Sequence, residues 1–356
     1  MSLITQYILS KFLKNFFIIL ISLELFFVGL DFLQNFKKLP ESANLQLLYL
    51  LYNCFFTLTL TLPLSLVFAW IVTLVVFIKS NELVAFYSLG TKEKYIYNPI
   101  MRMSFLLLSI LFLLQATPLA YSYEQKGKIV KNEYFTNSKA DIFLKYNDYF
   151  VYFKKLYPLE KKAIGIHIYK LEGRDIVESI VARRAYFQNN KWYVLDAKIL
   201  TKPLNIDFKS SKIEVRHEKF LHTLEGFKPK ILDNVYEAKS KFSILDALSA
   251  LVLLKEQDIS TLKVRASLYY EVVGIFFVLP LLLLVFSFAK ANARTFSFTA
   301  FTTFSIFGTL IVWGIFFMLH KLTFGGILLP ELSILLPFFI WVMLAYFIFV
   351  KKSSSN

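Results

Sequence analysis

The stretch KSNELVAFYSLGTKEK, residues 79–94, separates two long apolar runs, yet it lacks the composition of an ordinary polar loop. Ser80 and Asn81 are residue types that favour helix N-caps, Glu82 puts an acid in a first turn, and Gly90 is a helix stop. Between them Leu83, Phe86 and Tyr87 recur at i, i+3 and i+4, which predicts a short helix with one apolar face. The runs on either side decide where that helix lies.

Working outward, six runs are long enough to cross a hydrocarbon core of ~30 Å, which takes about 20 apolar residues. They cover about 12–34, 49–78, 98–118, 267–289, 296–319 and 327–350. The whole chain of 356 residues is 56% hydrophobic, with 39 Phe and 11 Gly, which is a membrane-protein composition. Glu24 lies inside the first run. About sixteen apolar residues at roughly −0.4 kcal/mol each outweigh one acid at about +3 kcal/mol, so this run still inserts. It is expected to remain as a span, being too long for a leader and lacking a small-residue cleavage site after it. Cys54 is the one cysteine, so no intrachain disulfide is expected.

Lys and Arg in the short flanks set the orientation. Lys11, Lys14, Lys79, Lys92, Lys94, Arg102, Lys290, Arg294, Lys351 and Lys352 share one side, against Lys37, Lys38 and Lys321 on the other. The richer side is expected to be cytoplasmic, with both termini and the short helix of residues 80–90.

About 148 residues, 119–266, lie on the far side between the third and fourth spans. The chain therefore divides into 1–118 with three spans, 119–266 as an external domain with a connecting helix, and 267–356 with three spans. The external segment reads as β. DYFVYFKKL (148–156), KAIGIHIYKL (162–171), DIVESIVARRAYF (175–187) and KWYVLDAKIL (191–200) are rich in β-branched and aromatic residues. Pro158, Glu172-Gly173-Arg174-Asp175 and Asn189-Asn190 punctuate them, and NIDFKSSKIEVRH (205–217) reads as a further pair around Ser210-Ser211. Such spacing suggests a sandwich, barrel or jelly roll. Ser243 and Asp246 have capping-box spacing and would open a helix with Leu245, Leu248, Val252 and Leu253 on one side, lying at the outer membrane boundary.

Catalytic signatures are missing. No G-x-x-x-x-G-K-[ST], G-x-G-x-x-G or G-x-S-x-G occurs, and His217 and His222 have neither a cysteine nor an H-E-x-x-H beside them. No enzyme activity, cofactor, metal or nucleic-acid partner is expected, and any free energy used must come from another subunit. The net charge of +15 suits anionic lipid or phosphate, although a generally Lys-rich composition gives the same value. Charges within spans mark function more often than surface ones: Glu24, Asp31 and Glu271 are of this kind. Glu24 fits either pairing with another helix or a polar path. Lys37 and Lys38 either snorkel to the interface or contact a phosphorylated ligand in the outer leaflet.

The layout and local motifs resemble the LptF/LptG permeases of the lipopolysaccharide exporter. NELVAFYSLG, Asn81 to Gly90, is similar to that family's [S/N]-E-L-x-x-x-x-x-x-G helix between spans two and three, and FVYFKK…AIGIHIY with KWYVL is similar to its β domain. FLQNFKK, Phe32 to Lys38, is similar to the F-V-D-Q-L-K-K pattern of LptG, while Asp31 stands where LptG proteins often have another basic residue.

The resemblance implies an α-helical membrane protein with six transmembrane helices and a periplasmic jelly-roll-like all-β domain, in the bacterial inner membrane. It implies pairing with an LptF-type paralogue over a dimeric LptB-type ATPase, and delivery of lipopolysaccharide to LptC and LptA. The short helix then becomes a coupling helix, with Leu83, Phe86 and Tyr87 in a groove of the ATPase and Glu82 against one of its basic residues. The bland alternative is a helix resting on lipid. Lys37 and Lys38 become the lipid-binding pair. Residues 119–266 hold 27 Lys and Arg against 18 Asp and Glu, so strands there are expected to face basic outward and apolar inward. The rival reading is a mechanotransmitting permease or sensor that relays motion without carrying lipid.

Overall fold

The computed structural model describes residues 3–132, 139–146, 149–157, 160–172, 175–189, 191–202, 214–225, 243–255, 261–289, 294 and 296–353. Two compact units result. One comprises Met1–Asn132, Phe242–Ala247 and Leu262–Asn356, the other Glu133–Lys241 and Leu248–Thr261.

In the first unit, α1 (Leu3–Asn35) runs into a 3-10 turn (Phe36–Lys38), followed by α2 (Ala43–Lys79), α3 (Glu82–Ser88) and α4 (Lys94–Gln115). A second 3-10 turn (Pro118–Tyr121) leads to α5 (Ser122–Val130). After the β strands come α6 (Ile244–Lys255), whose residues from Leu248 on belong to the second unit, α7 (Leu262–Phe276) and α8 (Val278–Phe288), then α9 (Phe298–Phe324), a π-helical turn (Glu331–Leu335) and α10 (Leu336–Ser353). Among the described residues six helical stretches are long and apolar enough to cross a membrane, the fourth formed by α7 and α8 together. This is the expected number and order.

The helices meet around Trp70 of α2. Its indole N–H donates to the Leu282 carbonyl of α8 at 3.2 Å, its ring stacks on Phe286 at 6.0 Å, and Phe12 of α1 packs edge-on at 6.3 Å. Lipid tails are as apolar as these side chains, so close packing and interhelical hydrogen bonds hold spans together in a bilayer. By contrast α1, α9 and α10 present broad apolar outer faces, among them Phe17, Ile21, Phe307, Ile311, Phe339 and Met343.

The second unit holds β1 (Lys139–Tyr146), β2 (Tyr149–Tyr157), β3 (Lys162–Glu172), β4 (Asp175–Gln188), β5 (Lys191–Thr201) and β6 (Glu214–Thr223). They form one antiparallel sheet in chain order, so each described strand pairs with its sequence neighbours. Four strands match the expected ones. Of the expected pair at 205–217, residues 205–213 lie outside the described residues and the rest open β6.

That sheet curls. Strands β2 and β5 stand three spacings apart, about 14 Å in a flat sheet. Yet the rings of Phe153 and Trp192 have centroids 5.3 Å apart. They head an inner core with Val151, Ile166, Ile168, Val194 and Ala197.

A crease crosses the sheet. On all five ladders the pairing skips the row of Asp141, Lys154, Gly165, Arg183, Asp196 and Lys219, and between β4 and β5 the adjoining Ala182–Ala197 row is skipped as well. On alternate strands Asp141, Gly165 and Asp196 have left-handed φ values of 57°, 68° and 52°. Alternation breaks at this row. Buried Phe153 is followed by buried Leu156, Ala163 by Ile166, Ala182 by Ala185 and Val194 by Ala197, each three residues on rather than two. Two consecutive side chains per strand therefore turn away from the core, such as Lys154 with Lys155 and Arg183 with Arg184. Gly165 is required for space as well as for φ, because a Cβ there would lie 2.8 Å from the Lys154 Cβ.

Candidate functional site

Helix α3 forms at the expected place. Asn81 starts it in a left-handed conformation without a side-chain cap bond, and Gly90, at φ 74°, ends it. The closing bonds run from Thr91 N–H to Phe86 O at 3.0 Å and from Gly90 N–H to Tyr87 O at 2.9 Å, the Schellman pattern.

Its apolar face turns inward, toward the helical core of its own chain. Leu83 is 1% exposed and Phe86 9% exposed, both packed in the helical core, with Phe86 edge-on to Phe77 of α2 at 5.8 Å. Tyr87 is half-buried, and burial, reinforced by the charge of Glu93, pushes its hydroxyl up to about 12. Glu82 accepts hydrogen bonds from Tyr7 of α1 at 3.0 Å and Ser80 at 2.9 Å. The outward face instead carries Val84, Ala85, Ser88 and Leu89, the last 75% exposed. Thus α3 is clamped to α1 and α2 and presents a small, partly apolar surface away from them.

At the other end of spans one and two a buried polar cluster joins three helices. Lys126 of α5 pairs with Asp31 of α1 at 3.0 Å and donates to Asn53 of α2 at 2.8 Å. Tyr49 of α2 donates to the second Asp31 oxygen and accepts from Asn35 at 3.2 Å. The rings of Phe56 and Tyr123 flank the ammonium at 4.9 and 5.6 Å. Lys126 is 8% exposed, and the cluster supplies the partners such a buried charge requires. Lys37 and Lys38 sit beyond Asp31 in the 3-10 turn, both exposed. Asp31 is thus neutralised by Lys126 while the two lysines face outward.

Glu24 is held inside the spans by the facing helix: Thr57 donates to one carboxyl oxygen at 2.6 Å and Thr61 to the other. That is the helix-pairing arrangement of the two open for this residue. Further along, Tyr121 donates to Asp246, accepts from the Ser243 N–H at 3.2 Å, and has its hydroxyl pushed up to about 12, chiefly by burial. Ser243 caps α6 by accepting from the Asp246 N–H at 3.2 Å, and Leu245, Leu248 and Val252 of that helix are exposed. Sequence reasoning missed Lys126. Its only signal was a Lys one turn after Ser122, in a segment flanked by apolar residues.

Three spans, an inserted antiparallel β unit and three more spans, with a short helix joining spans two and three, define a polytopic membrane protein built like a transport subunit. The family model described as lipopolysaccharide export system permease LptF/LptG matches residues 6–351, and the chain belongs to that family. It is a permease of lipopolysaccharide export in the bacterial inner membrane. No curated protein matches the chain.

Proposed function

We propose that the chain is the LptG-type permease of an ATP-driven extractor, paired with an LptF-type paralogue over a dimeric LptB-type ATPase. In this reading it takes lipopolysaccharide from the outer leaflet of the inner membrane. It passes the lipid through its β domain, in the periplasm, to LptC and LptA. Both termini and α3 are cytoplasmic. The family match across 6–351 carries the reading, and the clamped α3 supports its coupling part.

The chemistry follows from the positions. An ATPase that grips the outward face of α3 (Val84, Ala85, Ser88 and Leu89) moves α1 and α2 as well, because Phe86 packs on Phe77 and Tyr7 holds Glu82. Helix α3 then serves as a lever fixed to the permease, with Glu82 and Tyr87 bracing it, rather than as a knob inserted in the ATPase. At the opposite end Lys37 and Lys38 meet incoming phosphates as point charges, strongest where water is partly excluded. The curled inner face led by Val151 and Phe153 is apolar and suits acyl chains, while crease residues such as Lys154 and Arg183 keep charge outside.

Purification from the native membrane tests this. Co-purification of an ATPase and a second six-span protein, with lipopolysaccharide crosslinked to the chain, is the expected result. ATPase association without lipid crosslinking favours the mechanotransmitting reading, and absence of both overturns coupling and export alike.

A further inference from the structure

Two rows of side chains on the outer face of the β sheet have no part in the export reading. The first is Tyr157, Lys162, Tyr186, Tyr193 and His222, running from β2 to β6 with each residue paired to the next. The second lies two residues along every strand and is Lys155, Ile164, Arg184, Leu195 and Phe220. Both rows point away from the inner core, because Leu156, Ala163, Ala185 and Val194 between them are buried in it.

A solvated face mixes charges of both signs. Neither of these rows contains an acid. In the first, the Lys162 ammonium sits over the Tyr157 ring at 4.7 Å and is paired with Glu160, while the Tyr193 and His222 rings meet edge-on at 4.6 Å. Tyr186, 41% exposed, stands between Lys162 and Tyr193 at the centre of this aromatic platform. In the second row Lys155 and Arg184 stand on either side of Ile164, about 10 Å apart at the usual strand spacing. Lys154 and Arg183 of the crease lie beside them, and all four cations are exposed. None of the four forms an ion pair among the described residues, although Asp196 follows Arg183 along the crease.

Aromatic rings about 7 Å along the strands from a cluster of unpaired cations fit a particular ligand chemistry. The C–H face of a sugar ring is apolar and packs on a tyrosine ring, whose hydroxyl stays in water. An Arg fork grips phosphate bidentately, and Lys adds a point charge. An anionic bilayer meets the charge but not the shape. The sheet curls around Phe153 and Trp192, so its opposite face is convex and touches a plane only along a line. We propose that this outer face binds a phosphorylated saccharide, its sugar rings on Tyr186 and Tyr193 and its phosphates on Lys155, Arg184, Lys154 and Arg183. Two sources present this chemistry: the saccharide of the transported lipopolysaccharide, and a separate glycan of the cell envelope. The inference rests on the sheet alone and not on the acyl path along its inner face.

The test uses the full chain with its co-purifying subunits, reconstituted in nanodiscs without nucleotide, and reads binding by calorimetry at low salt. The probes are the core oligosaccharide freed of lipid A, the same oligosaccharide stripped of phosphate, a phosphomannan, and inorganic pyrophosphate. The expected result is binding of a phosphorylated saccharide that is lost on removal of phosphate. Preference for the core oligosaccharide over phosphomannan assigns the site to the cargo, and equal binding of the two assigns it to envelope glycans generally. Lys155→Gln combined with Arg184→Gln should weaken binding about tenfold. Tyr186→Ala should weaken it several-fold and Tyr186→Phe should not, because the ring is kept. The Tyr186 pair serves if the double Gln variant melts early. Failure of both phosphorylated saccharides to bind, undiminished binding of the stripped oligosaccharide, or pyrophosphate binding as tightly as the saccharides would each overturn the proposal. So would normal binding by Tyr186→Ala, or a photo-crosslinker at Tyr186 that captures another protein instead of the saccharide. The probes carry no acyl chain and no nucleotide is present, so such a failure leaves the export reading intact.

Discussion

Lys126 and Asp31 meet at 3.0 Å although 95 residues separate them. This pair fastens α5, which leads toward the β strands, to spans one and two. Removing one member of a buried pair strands the other charge, and that costs more than the pair itself contributes. Asp31 retains about a quarter of its side-chain surface, so water softens the penalty.

Asp31→Asn is therefore expected to lower stability by about 1–3 kcal/mol, and Lys126→Met by a similar amount. Thermal unfolding of the purified full chain, with the double variant completing a cycle, measures the effect. Strictly additive losses would show that the two charges do not act together.

For α3 the inward and outward faces should separate. Phe86→Ala is expected to cost about 3 kcal/mol of stability by opening the core beside Phe77. Leu89→Ser should leave the melting temperature unchanged and reduce ATPase association. If Phe86→Ala melts normally yet loses the ATPase, the lever arrangement is wrong.

Exchanging both Lys37 and Lys38 for Glu is expected to reduce lipopolysaccharide crosslinking and export while assembly is preserved. The Gln pair should do less, because it removes attraction without adding repulsion. Transport in proteoliposomes decides this, and wild-type export by the Glu pair would exclude these lysines from the entry site.

Gly165→Ala should destabilise the β unit by about 1–3 kcal/mol, combining an unfavourable φ with a Cβ contact of 2.8 Å. Gly165→Asn tolerates the φ but not the contact, so it should rescue little. Full recovery with Asn, read by protease resistance of the intact protein, would mean that φ alone matters.

Photo-crosslinkers at Val151 and Phe153, both fully buried on the inner face, should capture lipopolysaccharide. The same groups at Phe150 and Tyr152 point the other way and should not. Equal labelling in both registers would argue against passage along the inner face.

The six spans were legible because a bilayer demands long uninterrupted apolar runs, and the hairpins because turn residues such as Asn189 punctuate alternating strands. The apolar face of α3 was legible too, but periodicity identifies a face without saying whether its own chain or a partner covers it. Leu83 and Phe86 illustrate this limit. The crease was hidden because left-handed φ values at Asp141 and Asp196 leave no compositional mark distinct from a loop. Lys126 was hidden because nothing local in the sequence links it to Asp31.

The strand order has a bearing on how the protein is made. In the proposed topology the β unit is delivered across the membrane between spans three and four, so its strands emerge in the order β1 to β6. In this topology every newly arrived strand finds its partner already in place. The connections to be closed run from two residues between β1 and β2 to twelve between β5 and β6, and the entropy of closure grows only slowly with loop length. Assembly thus advances one hairpin at a time during translocation, with a single growing edge to protect, and among the described strands β1 and β6 are left as the edges, the latter with Phe220 70% exposed.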